Sequence, residues 1–296
     1  MAAAIEVVGL RKSYRGVDAV AGVDLAVERG EVFALLGPNG AGKTTTVEIL
    51  EGHRARTSGD VSVLGFDPGA AGPELRSRIG IVLQETGVER FLTVAEVLEE
   101  FRGYYPDPLD VEHVLELVGL ADKRDSRVGR LSGGQQRRLD VGVGLIGNPE
   151  LLFLDEPTTG FDPSARRGAW DMVRGLTALG TTVFLTTHYM EEAQQLADRV
   201  AVIVGGRIVA EGTPDTIGGR QGRDTRISFS RVELPPELAA EFVEDGALFV
   251  TNTGDPTALL HRLTTWAVGA GVALEHLEVV RPDLEEMYLE LAGGEG

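Results

Sequence analysis

Eight residues decide the fold of this chain: Gly37-Pro38-Asn39-Gly40-Ala41-Gly42-Lys43-Thr44. They fit the phosphate-loop pattern G-x-x-x-x-G-K-[ST], whose glycines let backbone N–H groups wrap phosphates while the lysine reaches the β and γ oxygens. The continuous apolar run at residues 32–36 predicts a buried parallel strand before the loop, and residues 44–51 read as the helix that the loop opens. This strand–loop–helix context separates a genuine phosphate loop from a chance match. The sequence therefore predicts a nucleotide-binding α/β core.

A second stretch, Leu131-Ser132-Gly133-Gly134-Gln135, has the composition of another anion-binding loop. Its hydroxyl and glycines stand just ahead of a run that can be helical, and the start of a helix attracts anions. Further along, Leu151-Leu152-Phe153-Leu154-Asp155-Glu156 places a pair of acids at the end of another predicted buried strand. A single nucleotide does not need two phosphate-gripping loops.

Composition narrows the possible functions. The 296 residues contain 28 basic and 46 acidic side chains, for a net charge of −18, so binding nucleic acid through phosphate contacts would oppose the protein's own field. The absence of cysteine excludes disulfides and thiolate metal sites and agrees with a reducing compartment. No basic stretch precedes an apolar segment at residues 1–6, so we expect no secretion signal. No apolar run approaches the roughly 20 residues of a spanning helix, so any membrane pathway is expected on another polypeptide.

The pattern along the chain predicts a large and a small domain. Alternating residues at 5–8 and 23–27 indicate antiparallel strands, a helical pattern covers 93–119, and buried strands are predicted at 151–154, 182–186 and 201–204. Residues 218–223 are typical of a linker. Beyond them, strands are predicted at 225–232, 247–252 and 272–280, with helices near 257–267 and 284–291. We therefore predict domains at 1–218 and 225–296, the second a small α/β domain.

Together these motifs resemble the nucleotide-binding subunit of an ATP-binding cassette (ABC) transporter, with residues 131–135 as the signature sequence of that family. Residues 281–291 resemble the end of C-terminal extensions on bacterial drug- and polysaccharide-type export ATPases. The resemblance implies an α/β phosphate-loop NTPase core of ABC type, a mixed sheet with an antiparallel β subdomain and a helical insertion. It also implies Mg²⁺-dependent ATP hydrolysis, a head-to-tail dimer of two copies, and a separate membrane permease. The expected location is peripheral, on the cytoplasmic face of the cell membrane, and no nucleic-acid partner is expected.

The predicted site residues fall into three groups. Those expected to contact nucleotide are Tyr14, Gly37, Pro38, Asn39, Gly40, Ala41, Gly42, Lys43, Thr44, Thr45, Gln84, Ser132, Gly133, Gly134, Gln135 and Asp162. The expected Mg²⁺ ligands are Thr44, Gln84 and Asp155. Lys43 is expected to neutralise phosphate charge, Glu156 to act as general base on water, and His188, as the family's switch histidine, to hold the γ-phosphate geometry.

Several of these residues keep an ordinary structural interpretation beside the functional one. Asp155 could simply cap a helix, and Asp162, which the resemblance makes a messenger between two sites, could equally serve the turn at Pro163. Tyr14, expected to stack on adenine, could be a half-buried hairpin residue. Glutamine is common in surface loops, so Gln84 has the same alternative.

The sequence departs from the family pattern at two places. The signature helix contains Asp140, Gly142 and Gly144, and glycine costs a helix about 1 kcal/mol relative to alanine, so this helix is either tightly packed or unusually loose. Leu83 stands before Gln84 where the family often has proline. Two rival functions also stay open: a non-transport ABC-type ATPase acting on nucleic acid or ribosomes, and a regulator that binds nucleotide without turnover.

Overall fold

A computed structural model describes residues 3–82, 87–159, 161, 163–178, 180–217 and 225–280, with the backbone alone at 163–165 and 178. The chain divides into two compact units, Met1–Pro214 and Asp215–Gly296. The linker predicted at residues 218–223 lies outside the described residues. That the first unit is an ATPase domain and the second an accessory domain stays a prediction.

The elements of the first unit alternate between strands and helices. In its described part the strands are β1 (Ile5–Tyr14), β2 (Val17–Val27), β3 (Val32–Leu36), β4 (Ser58–Val63), β5 (Ile79–Val82), β6 (Leu151–Asp155), β7 (Thr182–Thr187), β8 (Arg199–Val204) and β9 (Arg207–Gly212). The helices are α1 (Lys43–Leu50), α2 (Pro73–Arg76), α3 (Val94–Arg102), α4 (Val111–Leu117), α5 (Gly133–Leu145), α6 (Pro163–Ala178) and α7 (Met190–Leu196), with 3-10 turns at Ala121–Lys123 and Val128–Arg130. Across the described ranges, no helix combines the length and the apolar character needed to cross a bilayer.

The main sheet positions the candidate site. Its strand order is β5-β6-β7-β3-β8-β9, with parallel pairing from β5 to β8 and β9 antiparallel at the edge. The middle strands are continuously apolar because both faces are covered, and Phe184 packs against Phe33 and Phe153 with ring centroids 5.6 and 5.8 Å apart. The carboxyl ends of β3, β6 and β7 meet at one edge of the sheet. The phosphate loop, the two acids and the histidine therefore converge there.

Two smaller assemblies complete the first unit. An antiparallel sheet of order β2-β1-β4 contacts α1, and the α3–α4 pair packs on α5. Helix α3 begins with a capping box in which the Thr93 hydroxyl accepts from the Glu96 N–H and the Glu96 carboxylate accepts from the Thr93 N–H. The mixed sheet, the antiparallel subdomain and the helical insertion confirm the predicted fold class. Strands β4 and β9 were not predicted from the sequence.

The second unit has its own sheet and core. It contains β10 (Thr225–Ser230), α8 (Pro236–Ala239), β11 (Val243–Asp245), β12 (Leu248–Thr253), α9 (Pro256–Ala270) and β13 (Glu278–Val280), and its antiparallel strands are ordered β11-β12-β10-β13. Three phenylalanines, Phe229, Phe242 and Phe249, pack together beneath this sheet with Leu259 and Leu263.

One predicted strand of the second unit is wrong over most of its length. The sequence predicted a strand at 272–280, but only Glu278–Val280 pairs with β10. Helix α9 continues to Ala270 and ends on Gly271 at φ +66°, and His276 also has a positive φ of +54°. Two left-handed residues turn the chain back before it can extend. The helix predicted at 284–291 lies outside the described residues.

Candidate functional site

The phosphate loop joins β3 to α1 and needs glycine at its two ends. A Cβ on Gly37 would lie 2.4 Å from the Ile203 carbonyl oxygen, and one on Gly42 would lie 2.4 Å from the Ala19 carbonyl oxygen. Gly42 also has a φ of +104°, which side chains rarely adopt. The loop is thus pressed against its surroundings at both ends, while Asn39 and Gly40 at its tip are exposed.

Lys43 reaches back across this loop. Its ammonium group donates to the Gly37 carbonyl at 2.8 Å and to the Pro38 carbonyl at 3.2 Å, and it lies 3.5 Å from Glu156 Oε1. The side chain is only 4% exposed. A buried ammonium is costly unless it is hydrogen-bonded and balanced by charge, and these contacts supply both.

The first turn of α1 offers donors to an anion. The N-cap residue is Gly42, which has no side chain that could accept a hydrogen bond from the N–H groups of this turn. Thr44 is exposed and Thr45 is partly exposed, directly after the buried lysine. Backbone N–H groups and the helix dipole both favour a phosphate at this position.

The two acids at the end of β6 are held by the neighbouring strand β7. The Thr186 hydroxyl donates to Asp155 Oδ1, while the backbone N–H of Glu156 lies 3.2 Å from the Thr186 carbonyl oxygen and 3.1 Å from its hydroxyl oxygen. Glu156 has a φ of +45°, in the left-handed region that non-glycine residues seldom occupy. Such strain persists only where surrounding contacts hold it, and it is concentrated at functional sites.

The Glu156 carboxylate is surrounded by polar partners. His188 Nδ1 lies 3.1 Å from Oε1, and the Thr159 hydroxyl donates to Oε2 at 3.2 Å. Burial alone would raise the pKa of Glu156, but the hydrogen bond and charge of His188, together with Lys43 and Thr159, bring the pKa below its ordinary value. Glu156 is therefore an ionised acceptor at neutral pH.

Asp155 has the opposite electrostatic balance. Burial raises its pKa above the ordinary value and the charge of Glu156 adds to this, against the hydrogen bond from Thr186 and the charges of Lys43 and Arg137. A half-buried carboxylate whose ionised form is disfavoured suits a bound divalent cation. The Thr44 hydroxyl is the second oxygen ligand that the motif provides. The described residues contain no cluster of three or more His, Asp or Glu side chains that could hold a metal ion.

The signature sequence forms the start of α5. Ser132 caps the helix with a capping box, in which the Gln135 N–H donates to the Ser132 hydroxyl at 3.3 Å and the Ser132 N–H donates to the Gln135 amide oxygen at 3.0 Å. Ser132 and Gly133 are exposed. Helix α5 contacts β5, α3 and α4, whereas α1 contacts β2, β4 and β6. The two helices whose starts could bind an anion therefore pack against different elements.

The glycines of the signature helix are explained by tight packing. A Cβ on Gly144 would lie 2.8 Å from Val82 Cγ2, and one on Gly80 of β5 would lie 2.2 Å from the Gly144 carbonyl oxygen. A Cβ on Gly142 would lie 3.3 Å from Val114 Cγ1. The sequence left open whether the signature helix is tightly packed or unusually loose. The structure supports tight packing, because the backbone of α5 closely approaches the backbone of β5.

Three further predicted site residues are Tyr14, which the structure describes, and Gln84 and Asp162. Tyr14 ends β1 and is 38% exposed, with Lys12 Nζ 5.0 Å and the Arg54 guanidinium 5.4 Å from its ring centroid. Its ring is accessible and already attracts cations, and its stacking on adenine stays a prediction. Gln84 and Asp162 lie outside the described residues.

Two residues at the site were missed by the sequence analysis. Thr186 was treated only as part of a strand, yet it bonds Asp155, the last residue of β6, and Glu156, which follows it. Arg137 was noted only as part of the signature helix, yet it donates to the backbone on either side of Glu156. The i,i+3 spacing of Arg137 and Asp140 was the only available sequence signal, and such spacing is common on exposed helices.

Comparison with known proteins identifies the class and then the family. A family profile described as "ABC transporter" matches residues 20–159. The daunorubicin/doxorubicin resistance ATP-binding protein DrrA of Streptomyces peucetius is 40% identical over 310 residues, covering 98% of this chain and 92% of that protein. The Nod factor export ATP-binding protein I of Rhizobium sp. (strain N33) is 38% identical over 308 residues, covering 99% of this chain and 98% of that protein.

Solved structures agree in fold. The ADP conformation of MJ1267, an ATP-binding cassette of an ABC transporter, superimposes with a TM-score of 0.64 at 26% identity, over 72% of this chain and 92% of that one. The cbiO1 protein of Clostridium perfringens, part of the transporter complex cbiONQ, gives a TM-score of 0.64 at 27% identity, over 73% of this chain and 90% of that one. The fold and site thus define an ABC-type ATPase. More particularly, the chain belongs to the family of ABC transporter ATP-binding subunits and is homologous to the drug-resistance and Nod factor export proteins named above.

Proposed function

We propose that this chain powers an exporter by hydrolysing Mg·ATP at two sites shared between two copies of itself. The observation that carries the proposal is the placement of Glu156, whose carboxylate contacts Lys43, His188 and Thr159 at the carboxyl edge of the sheet. A general base must be ionised and must lie beside the bound phosphates, and the lowered pKa of Glu156 and its contact with the phosphate-loop lysine support this role.

Hydrolysis here depends on positioning and charge neutralisation. Backbone N–H groups of the loop and the Lys43 ammonium bind the phosphates, so Lys43 exchanges its present carbonyl partners for phosphate oxygens. Thr44 and Asp155 are the described residues that would hold Mg²⁺, which would neutralise phosphate charge when bound; Gln84 is the third predicted ligand. Glu156 orients the attacking water and takes its proton, and His188 keeps the carboxylate ionised and in place.

A second copy would complete each site. The signature residues Ser132, Gly133 and Gly134 lie at the exposed start of α5, a helix that packs apart from the phosphate-loop helix. An exposed helix start suits a phosphate carried by another molecule. One signature and one phosphate loop per chain favour a symmetric pair with two equivalent sites. ATP would hold the pair together and hydrolysis would release it.

We further propose a separate integral-membrane permease as the partner, with this chain on the cytoplasmic face of the membrane. The names of the relatives, drug resistance in one case and Nod factor export in the other, support export as the direction. A hydrophobic drug or a glycan is the cargo class that the resemblance of residues 281–291 to export ATPases favours. The rival function on nucleic acid or ribosomes finds no support among the relatives described, and the net charge of −18 disfavours it.

The second unit is proposed to act as an accessory domain that supports the dimer. It has its own aromatic core, and β11 and β13 end its sheet with exposed residues. Deleting residues 215–296 should make ATPase activity depend more steeply on protein concentration, because part of the dimer contact is lost. Activity per subunit that stays independent of concentration and equal to that of the full chain contradicts this role.

The catalytic proposal is tested by phosphate release from three forms: the natural protein, Glu156→Gln and the control Glu100→Gln. Glu100 is an exposed carboxylate on α3, so its change to amide removes the same charge far from the proposed chemistry. Removing a general base should lower turnover by roughly 10²- to 10⁴-fold while ATP still binds. Equal rates for Glu156→Gln and the natural protein refute the assignment. If the natural protein and Glu156→Gln are both inert, the regulator without turnover is supported instead.

A further inference from the structure

Arg137 is a buried cation for which the proposed mechanism has no role. It follows the signature by two residues on α5, and its side chain is 9% exposed. Burial lowers its pKa, while the nearby acids Asp140, Asp155 and Glu192 oppose that effect. Burying a guanidinium costs free energy unless charge and hydrogen bonds compensate, so the partners of Arg137 should explain why it is buried.

The contacts of Arg137 converge on the residues either side of Glu156. Its Nη2 donates to the Asp155 carbonyl at 3.1 Å, and its Nε donates to the Pro157 carbonyl at 3.2 Å. The planar guanidinium thus joins the carbonyl groups of Asp155 and Pro157, the two residues that flank Glu156. Because an arginine presents its donors in a rigid fork, one side chain fixes both carbonyls at a set separation.

Asp140 supports the fork from the same helix. Its Oδ2 lies 3.9 Å from Arg137 Nη1, and its own side chain is 8% exposed. At that separation the attraction is that of a charge pair rather than a short hydrogen bond. The acid that departed from the expected signature-helix pattern therefore has a partner, one helical turn away.

The Glu156 backbone needs such support. A non-glycine residue at positive φ is strained, and Glu156 is held at +45°. Thr186 binds its N–H from the β7 side, and Arg137 binds the flanking carbonyls from the α5 side. Without the second set of contacts, the segment is free to relax toward ordinary backbone angles. The carboxylate would then move away from Lys43 and His188.

We propose that Arg137 is a positioning residue that clamps the carbonyl groups of the two residues flanking Glu156 and so keeps the general base aimed at the bound phosphates. The inference rests on the proposed catalytic role of Glu156. Arg137 on α5 would then position Glu156 of its own chain, whereas the signature residues at the start of α5 would bind the phosphate carried by the second copy.

The test compares kcat and the KM for ATP in Arg137→Met, Arg137→Lys and the control Arg138→Gln. Arg138 is a partly exposed cation on the same helix, so its loss matches the change of charge. In Arg137→Met, kcat should fall roughly 10- to 100-fold, the cost of a base displaced by about 1 Å, with KM unchanged because the phosphate loop is untouched. Arg137→Lys should recover part of the loss, since one ammonium cannot reproduce the fork. A control that loses as much kcat as Arg137→Met contradicts the clamp.

A second comparison separates positioning from general stability. If Arg137 acts through Glu156, then adding Arg137→Met to Glu156→Gln should not lower the residual rate further. Equal losses in the presence and absence of Glu156 overturn the inference. So does a fall in kcat and a rise in KM that both follow a lowered melting temperature.

A second variant distinguishes a folding defect from a loss of catalysis. Should Arg137→Met fail to fold because it removes one member of a buried charge pair, the double change Arg137→Met with Asp140→Leu removes both members of that pair. That variant should show the same loss of kcat, and a natural rate in it overturns the clamp. If Glu156→Gln itself hydrolyses ATP normally, the proposed function fails, a result distinct from a failure of the Arg137 inference alone.

Discussion

Glu51, at the end of α1, gives the fold a stability that depends on pH. It is 6% exposed, and its Oε2 lies 3.3 Å from His53 Nδ1. Burial raises the pKa of Glu51 from 4.5 to about 8, and the charges of Asp155 and Glu48 add to the effect. The folded protein therefore binds this proton more tightly than the unfolded chain does. The resulting stability is complete below about pH 4.5 and is lost as the pH rises towards about 8.

The size of the effect follows from the shift. Each pKa unit corresponds to 1.36 kcal/mol, so a rise from 4.5 to about 8 is worth at most about 5 kcal/mol, and relaxation around the ionised acid leaves a few kcal/mol. Glu51→Gln keeps the shape of the side chain and cannot ionise. It should unfold at clearly higher urea concentration than the natural protein at about pH 9, and at nearly the same concentration at about pH 5.

The assay is urea unfolding followed by circular dichroism, with a chelator and no nucleotide, because the charge of Asp155 contributes to the shift. Glu100→Gln, an exposed carboxylate changed in the same way, serves as the control and should show no such pH dependence. A stability difference between Glu51→Gln and the natural protein that is equal at both pH values refutes the reasoning. A variant that is less stable at about pH 9 refutes it more strongly.

Two further changes test the site. His188→Ala removes the imidazole whose Nδ1 lies 3.1 Å from Glu156 Oε1, so kcat should fall roughly 10- to 100-fold, as expected for the loss of a polar contact to a charged group of about 1.5–3 kcal/mol. Because His188 lowers the pKa of Glu156, the acid limb of the pH–rate profile should also move to higher pH, and an unmoved limb counts against the contact. Gly42→Ala places a methyl group against the Ala19 carbonyl oxygen at a φ of +104°, so fluorescent-ATP titration should show a large loss of affinity; natural affinity would mean that the loop tolerates a shift.

Local pattern was enough to predict the centre of the site. The phosphate loop, the acids after β6 and the histidine after β7 each follow a buried strand, and parallel strands bring such positions to one edge. The order of elements in the first unit followed from the same periodicities. These features depend on neighbours in sequence, which is why a single sequence reveals them.

The contacts that hold Glu156 could not be predicted in this way. Thr186 and Arg137 come from different elements, and their roles depend on the pairing of β6 with β7 and on the approach of α5 to the sheet. Gly144 illustrates the same limit, because its close contact with Val82 converts an apparent weakness of the helix into a packing requirement. At residues 272–277, apolar alternation suggested a strand, but two left-handed residues determined the outcome.

The central claim is that one nucleotide site needs two chains, and light scattering of Glu156→Gln tests it most directly. The single chain has a mass of 31.6 kDa. At saturating Mg·ATP the variant should have twice that mass, and it should return to the single-chain mass when Gly134→Glu is added, because that change fills the exposed signature loop. A single-chain mass at saturating Mg·ATP, or a dimer that forms equally well with Gly134→Glu, contradicts the account.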